Sequence, residues 1–333
     1  MRYLVTGATG FIGGQVARLL AERGDSVVAL VRDPASAQTL ARLGVELARG
    51  DVTERASVRD AMRGADGVFH LAAWYKWGAK DKSMAVRTNV EGTRIVLETA
   101  RDLAISKTVY TSALAVYSDT QGRLVDESYR YNGPHVTEHD RTKWVAYHEV
   151  ALPLARAGLP LVIVLPGLTY GPGDASASGA LLDKYSARKL PMVPHPSIYC
   201  WAYVDDVARA HLLAMDHGRV GESYIIAGEP HSFVDVLAVA EKLTGIKPPR
   251  LRASPRLMRM ASKLLGFAER FISLPPAYSA EVFSATAGVT YMASNEKAKR
   301  ELGYAPRSLE AGLRATLMPQ AKSATSRQAS AAM

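Results

Sequence analysis

Gly7, Gly10 and Gly13 stand three residues apart, after the apolar run Arg2-Tyr3-Leu4-Val5-Thr6 and at the head of a stretch in which Ile12, Val16, Leu19 and Leu20 recur at helical spacing. A strand, a glycine turn and a helix in that order are suited to holding a pyrophosphate. The first glycine permits the tight turn, the second lets backbone approach the anion, and the third lets helix and strand pack closely. The free N–H groups of the helix start then face the negative charge. Gly7, Thr9, Gly10, Phe11, Ile12 and Gly13 are therefore candidate dinucleotide-binding residues. The second strand ends Leu30-Val31-Arg32-Asp33. A carboxylate at a strand end serves the ribose hydroxyls of NAD, whereas a guanidinium can meet the extra phosphate of NADP with a charge-assisted contact. Arg32 holds the strand-end position and Asp33 is expected to point into the turn before Pro34, so the reading is NADP. NAD remains the alternative if Asp33 swings in.

Such a site needs a sheet to carry it. After the first strand, SVVALV (26–31), VELARGD (45–51), GVFHLAA (67–73), KTVYTSA (107–113) and LPLVIVLPG (159–167) are apolar runs separated by segments of helical period. That alternation implies an α/β fold, a Rossmann-type doubly wound parallel sheet covered by helices on both faces. Past residue 167 the glycine-, serine- and proline-rich GLTYGPGDASASGA leads away from it. YCWAYVDDVARAHLLAMDHG and ESYIIAG (222–228) bring the chain back. The expected division is a dinucleotide-binding domain of residues 1–167 with a return segment 199–227, and a smaller, discontinuous, mostly C-terminal substrate-binding region of 168–198 and 228–316. Residues 317–333, small and polar, are expected to be a disordered tail. PRLMRMASKLLGFAERF (255–271) is basic and amphipathic and is read as a packed helix lining a substrate pocket, with Met258 and Met260 as an adaptable apolar wall, in preference to a helix lying on a membrane.

The 333 residues, 48% hydrophobic and 22% charged, suffice for a large core. Cys200, the one cysteine, has no partner in the chain, and no leader-like segment precedes the first strand, so the expectation is cytoplasmic. No apolar run reaches the roughly 18 residues of a membrane span. The balance of +9 is spread over basic residues interleaved with acidic ones, with no basic-aromatic stripe, so nucleic acid is not an expected partner. His135, Glu138, His139 and His148 have no recurrent ligand spacing, and no metal site is read from them.

With Asp51-Val52 after the third strand, His70-Leu71-Ala72-Ala73 after the fourth and Asn89-Val90-Glu91-Gly92-Thr93 in the next helix, the chain resembles the extended short-chain dehydrogenase/reductases. Within them it is most similar to dihydroflavonol-4-reductase-like members of the NAD-dependent epimerase/dehydratase family. The resemblance runs from Met1 to the closing Glu301-Leu302-Gly303-Tyr304 and Pro306. It implies that Asp51 and Val52 hold the adenine ring, that Leu71, Ala72 and Ala73 pass under the ribose and phosphates, and that Pro166 and Gly167 border the nicotinamide. It also implies a catalytic set: Ser112 after the fifth strand, Lys143 in the following helix, Asn89 of the helix motif, and a tyrosine four before the lysine.

Position 139 is histidine. The i, i+4 spacing still sets His139 and Lys143 on one helix face. Positive charge that would lower a tyrosine's pKa usefully pushes an imidazole toward its neutral form, a poor proton donor to an alkoxide. Of the nearby phenols Tyr147 is a turn too far along and Tyr117 has its own place in the family pattern, while Tyr129 or Tyr131, in the loop before the helix, stays open as a substitute donor. Trp74, Tyr75 and Trp77, just after the fourth strand, would overhang the cleft as an aromatic lid or pack as a loop. The expected function is an NADP-dependent oxidoreductase acting on a ketone or secondary alcohol. The alternatives are a cofactor-binding sensor or scaffold that has lost its catalytic tyrosine, and a sugar-nucleotide epimerase. The helices of 81–102 and 139–158 resemble those that pair relatives into homodimers.

Overall fold

In a computed structural model, residues 1–75, 81–272 and 279–318 are described. Strands are numbered along the chain: β1 Arg2–Thr6, β2 Ser26–Val31, β3 Glu46–Arg49, β4 Gly67–His70, β5 Lys107–Thr111 and β6 Leu161–Pro166, then β7 Leu168–Tyr170, β8 Val193–Pro194, β9 Ile198–Tyr203 and β10 Ser223–Ile226, and last β11 Pro230–Ser232, β12 Arg252–Ala253 and β13 Thr290–Tyr291. Seven of them form one parallel sheet in the order β10-β6-β5-β4-β1-β2-β3. Every residue of β4 and β6 is buried, as a strand covered on both faces must be. Leu4, Val28, Val68, Tyr110 and Ile163 face one apolar layer, Val5, Ala29, Phe69, Val109 and Val164 the other. This period-2 division is why the runs read as continuous hydrophobic segments in the sequence.

The order reverses between β1 and β4, so the crevice at the carboxyl ends of these two strands is the natural ligand site of the sheet. Residues 83–102 and 138–156 are two long helices packed on one face, and each changes to π-type turns midway, over Val86–Gly92 and Ala146–Ala151. On the other face Val204–His217 packs beside Phe11–Glu22.

The second region is built on a smaller sheet in which β9 pairs with β7, β11 and β13. Residues 199–203, grouped above with the dinucleotide-binding domain, thus sit in the smaller sheet, and helix Val204–His217 with β10 makes the return. Asp206 in that helix is buried and takes a bidentate pair from Arg307, at 2.8 and 2.9 Å, which fastens the segment after Tyr304 to the main layer. Helix Leu309–Leu317 runs into the first residue of the expected tail, and 319–333 lie outside the described residues. Of the expected apolar wall, Met258 is buried but Met260 is exposed, because the two point to opposite sides of helix Pro255–Ala268.

Candidate active site

The glycine turn is set by contact. Gly7 has φ +73°, and a Cβ there would lie 2.6 Å from the Ala72 nitrogen, so β1 and the segment after β4 close on each other only through glycine. At Gly13 a Cβ would come within 2.1 Å of the Gly7 carbonyl, which brings helix Phe11–Glu22 hard against the turn. Gly10 caps this helix without any side-chain bond, and Thr9 and Gly10 are exposed. The first N–H groups of the helix are thereby presented to an anion at the crevice. Phe11 and Ile12 turn inward against the second region.

Farther along the crevice, Arg32 is exposed and makes no hydrogen bond or ion pair among the described residues. Asp33 behaves differently: its carboxylate caps the turn Pro34–Ala37 by accepting the Ala35 N–H at 3.0 Å. Asp51 accepts from the Thr53 amide and hydroxyl, holding its own turn, and Val52 is buried beneath. Leu71 and Ala72 are half-buried and Ala73 exposed, while Pro166 ends β6 fully enclosed. His70 between them is a structural residue. Its ring bridges the Thr6 and Thr93 hydroxyls at 2.7 and 3.1 Å, and burial lowers its pKa to about 3.

Ser112 and Lys143 are brought together by β5. The Lys143 ammonium, almost fully buried, donates at 3.0 Å to the carbonyl of Thr111, the residue before Ser112. Burial lowers its pKa to about 8, so it remains mostly charged at neutrality. The Ser112 hydroxyl is buried and has no hydrogen-bond partner among the described residues. A buried O–H left without a partner in the fold is free to meet a bound group, a state the neighbouring Tyr110 phenol shares.

His139 lies one turn before Lys143 on helix 138–156 and its Nδ1 is likewise unpartnered. Burial first, then the Lys143 charge, lowers its pKa to about 3. Tyr75 stands edge-on to its ring at 4.8 Å. Tyr75 is 42% exposed as a residue, but enclosure of its hydroxyl end raises the phenol, and the carboxylates of Asp174, Asp140 and Glu281 add to the effect. Asn89, in the π-type stretch of helix 83–102, receives the Trp74 N–H at 2.6 Å, donates to the Trp74 carbonyl at 3.1 Å, and donates to Thr142 at 3.0 Å. It therefore locks the loop carrying Tyr75 to the helix carrying His139 and Lys143. Trp77 lies outside the described residues.

The other phenols are placed elsewhere. Tyr147 bonds Ser223 on β10, Tyr131 bonds the Pro134 carbonyl and Tyr129 takes a bond from Arg123, while Tyr117 is enclosed in the core. Asp140 was not singled out by sequence. It is buried and accepts from Thr137, Ser118 and Tyr291 at 2.7, 3.0 and 2.7 Å, yet burial still raises its pKa to about 6. Its signal was the Thr137-x-x-Asp140 spacing of a helix start. Among the described residues no cluster of three His, Cys, Asp or Glu is arranged to hold a metal; His135 and His148 pack on either side of Trp144.

Over residues 3–227 the chain matches the NAD dependent epimerase/dehydratase family. It belongs to that family. It is 34% identical over 317 residues to sterol demethylase protein B of Methylococcus capsulatus, covering 93% of this chain and 95% of the relative. It is also 34% identical to a putative dihydroflavonol 4-reductase of Synechocystis, over 74% of each. The crystal structure of gox2253 superposes with a TM-score of 0.80 at 31% identity, over 93% of this chain and 95% of that one. The chain is thus an enzyme-family member of the extended short-chain dehydrogenase/reductase type, with a nicotinamide dinucleotide as the group its fold holds. The glycine cradle and the open start of helix Phe11–Glu22 fit that group.

Proposed function

We propose that this protein is an NADP-dependent reductase of a ketone, reversibly a dehydrogenase of the secondary alcohol. The observation that carries the reading is the buried Ser112 hydroxyl, without a partner, one residue from the carbonyl that anchors the buried Lys143 ammonium. The glycine turn and helix start would hold the pyrophosphate, Arg32 the 2′-phosphate, Asp51 and Val52 the adenine end, and Leu71, Ala72, Ala73 and Pro166 the middle and nicotinamide end. When bound, the cofactor supplies the hydride that adds to the carbonyl carbon and is left oxidised. Ser112 donates a hydrogen bond to the carbonyl oxygen, where negative charge develops. Lys143 keeps positive charge close to the same place and orients the ribose. His139 occupies the proton-transfer position as a neutral imidazole, a weak donor, so reduction is slower than with a phenol there. Asn89 is a positioning residue.

The relatives named for a dihydroflavonol reductase and a sterol demethylase protein support a carbonyl substrate with an apolar body, and Tyr75 supplies an aromatic wall for it. A cytoplasmic location is supported by the lone buried Cys200. Helices 83–102 and 138–156, side by side, support a twofold homodimer.

His139→Tyr, assayed with NADPH against a panel of ketones, tests the reading. We expect reductive kcat/KM to rise about 10- to 100-fold, the contribution of a matched general acid. Absence of turnover in both forms, with NADPH still bound, would favour a cofactor-dependent sensor.

A further inference from the structure

Helix Pro255–Ala268 and the turn after it present an apolar stripe to the outside. Leu257, Met260, Leu264, Phe267 and Phe271 recur at intervals of three and four, and all are exposed, Leu264 by 69% and Phe271 by 73%. The helix has already satisfied its inner side. Met258 packs against Ala253 and Ala287, and the Ser262 hydroxyl donates at 2.8 Å to the Ala280 carbonyl. A contiguous stripe of this kind on the far side of a packed helix marks a surface that something else covers.

The charges beside the stripe identify what. Arg256, Arg259, Lys263 and Arg270 are exposed and project along one flank of it, and none forms an ion pair among the described residues. Between residues 247 and 272 there are seven basic residues and one acidic, Glu269, in a chain whose total balance is +9. The surplus positive charge is thus concentrated here, beside exposed leucines and phenylalanines. A second copy packed face to face on this stripe would bring like cations together. The last fifteen residues, 319–333, offer only one large apolar side chain, Met333. An anionic bilayer surface satisfies both features at once, with phosphates for the guanidinium and ammonium groups and acyl chains for the stripe. Among the described residues no helix is long and apolar enough to cross a membrane, so the contact is with the surface.

We propose that helix Pro255–Ala268 with Phe271 docks the enzyme on an anionic phospholipid surface. The inference stands apart from the proposed reaction. It does have a consequence for it, because the docking helix bonds Ala280 of the neighbouring helix Ala280–Ala285, whose Glu281 receives the backbone N–H of Glu138 at 2.8 Å. The docking helix is thus tied, through helix Ala280–Ala285, to the start of the helix that carries His139.

The full chain is to be sedimented with vesicles of phosphatidylcholine alone and of phosphatidylcholine with phosphatidylglycerol, at low and physiological salt. We expect binding to the mixed vesicles, weakened by salt, and little to the neutral ones. Leu264→Glu/Phe267→Glu should lower binding by about tenfold or more without moving the unfolding temperature, both side chains being exposed. Should that variant fail to fold, Lys263→Glu/Arg270→Glu, which leaves the apolar stripe in place, is expected to lose the anionic preference. No binding to either vesicle, or binding unchanged in both variants, overturns the proposal. So does a halved solution mass of Leu264→Glu/Phe267→Glu by light scattering, which would make this face a contact between copies.

Discussion

The ring of Tyr75 stands edge-on against the imidazole of His139, centroids 4.8 Å apart and planes crossing at 80°. His139 is the second residue of helix 138–156, and burial together with the Lys143 charge one turn on keeps it neutral down to about pH 3. The Lys143 charge without burial would push the imidazole pKa only part of the way down from the ordinary 6.5, leaving some imidazolium near neutrality. Its fall to about 3 removes that fraction, so reductive rate should not rise as pH falls from neutrality toward 5. Tyr75→Ala admits water to the ring, and its His139 resonances are expected to titrate well above 3, toward 6.5. An unshifted His139 in that variant would show that the helix alone excludes water.

Arg32 and Asp33 divide two tasks that their adjacency could have confused. Asp33 is committed to the turn Pro34–Ala37, and Arg32 is left exposed without an ion-pair or hydrogen-bond partner among the described residues. Arg32→Ala should weaken NADPH by about 10- to 100-fold, the value of a charge-assisted bond of about 1.5–3 kcal/mol, and leave NADH nearly unchanged. Calorimetric titration with both dinucleotides decides it. Equal losses for the two would mean that the 2′-phosphate is not the contact.

Asn89 joins two elements through three hydrogen bonds, two to Trp74 and one to Thr142. Asn89→Ala leaves the Trp74 N–H and carbonyl without their partner in a nearly closed setting, a loss of about 1–3 kcal/mol in stability. Because the loop carries Tyr75, the His139 pKa should climb in the same variant. Urea unfolding and the imidazole titration, read together, separate a positioning role from a merely structural one, which would lower stability and leave the pKa near 3.

The parallel sheet and the glycine turn were legible because period-2 burial and a three-glycine spacing leave direct marks in sequence. Where β9 pairs was not. Ile198–Tyr203 is as apolar as the strands of the large sheet, and only its partners β7, β11 and β13, far away in sequence, assign it to the smaller one. Ser112, Lys143 and position 139 came from the family resemblance, which says nothing of Tyr75, brought edge-on to the imidazole from another loop. Asp140 escaped notice because a carboxylate beside a conspicuous histidine reads as helix surface until Ser118 and Tyr291 are seen to close over it. Met260 was misplaced for a related reason: helical period shows two apolar sides on 255–268 without saying which is covered.

Acid should unfold this protein through its buried imidazoles. His70 is enclosed between Thr6 and Thr93, and His211 bridges the Thr111 hydroxyl at 2.9 Å and the Val207 carbonyl at 2.7 Å. Burial lowers them to about 3 and about 4, and His139 to about 3. Each folded pKa lies below the unfolded 6.5, so the unfolded chain takes up protons first. The stability these groups allow is complete above 6.5 and is lost as pH falls through the window down to 3 or 4. Each contributes about 1.4 kcal/mol per pH unit inside it. Asp140 opposes them: its pKa is raised to about 6 from 3.8, so its folded form gains relative stability as pH falls between those values. With His148 lowered to about 4 and His135 lowered as well, the imidazoles outnumber the two raised carboxyls, Asp140 and Glu127, and leave a net loss. Urea unfolding from pH 7 to 5 should show a steady decline in midpoint. His211→Gln, although less stable at pH 7, should show a slope shallower by about one proton, and Asp140→Asn one steeper by a similar amount below pH 6. A midpoint independent of pH over this range, or a slope unaltered in His211→Gln, would mean that the folded state admits the protons after all.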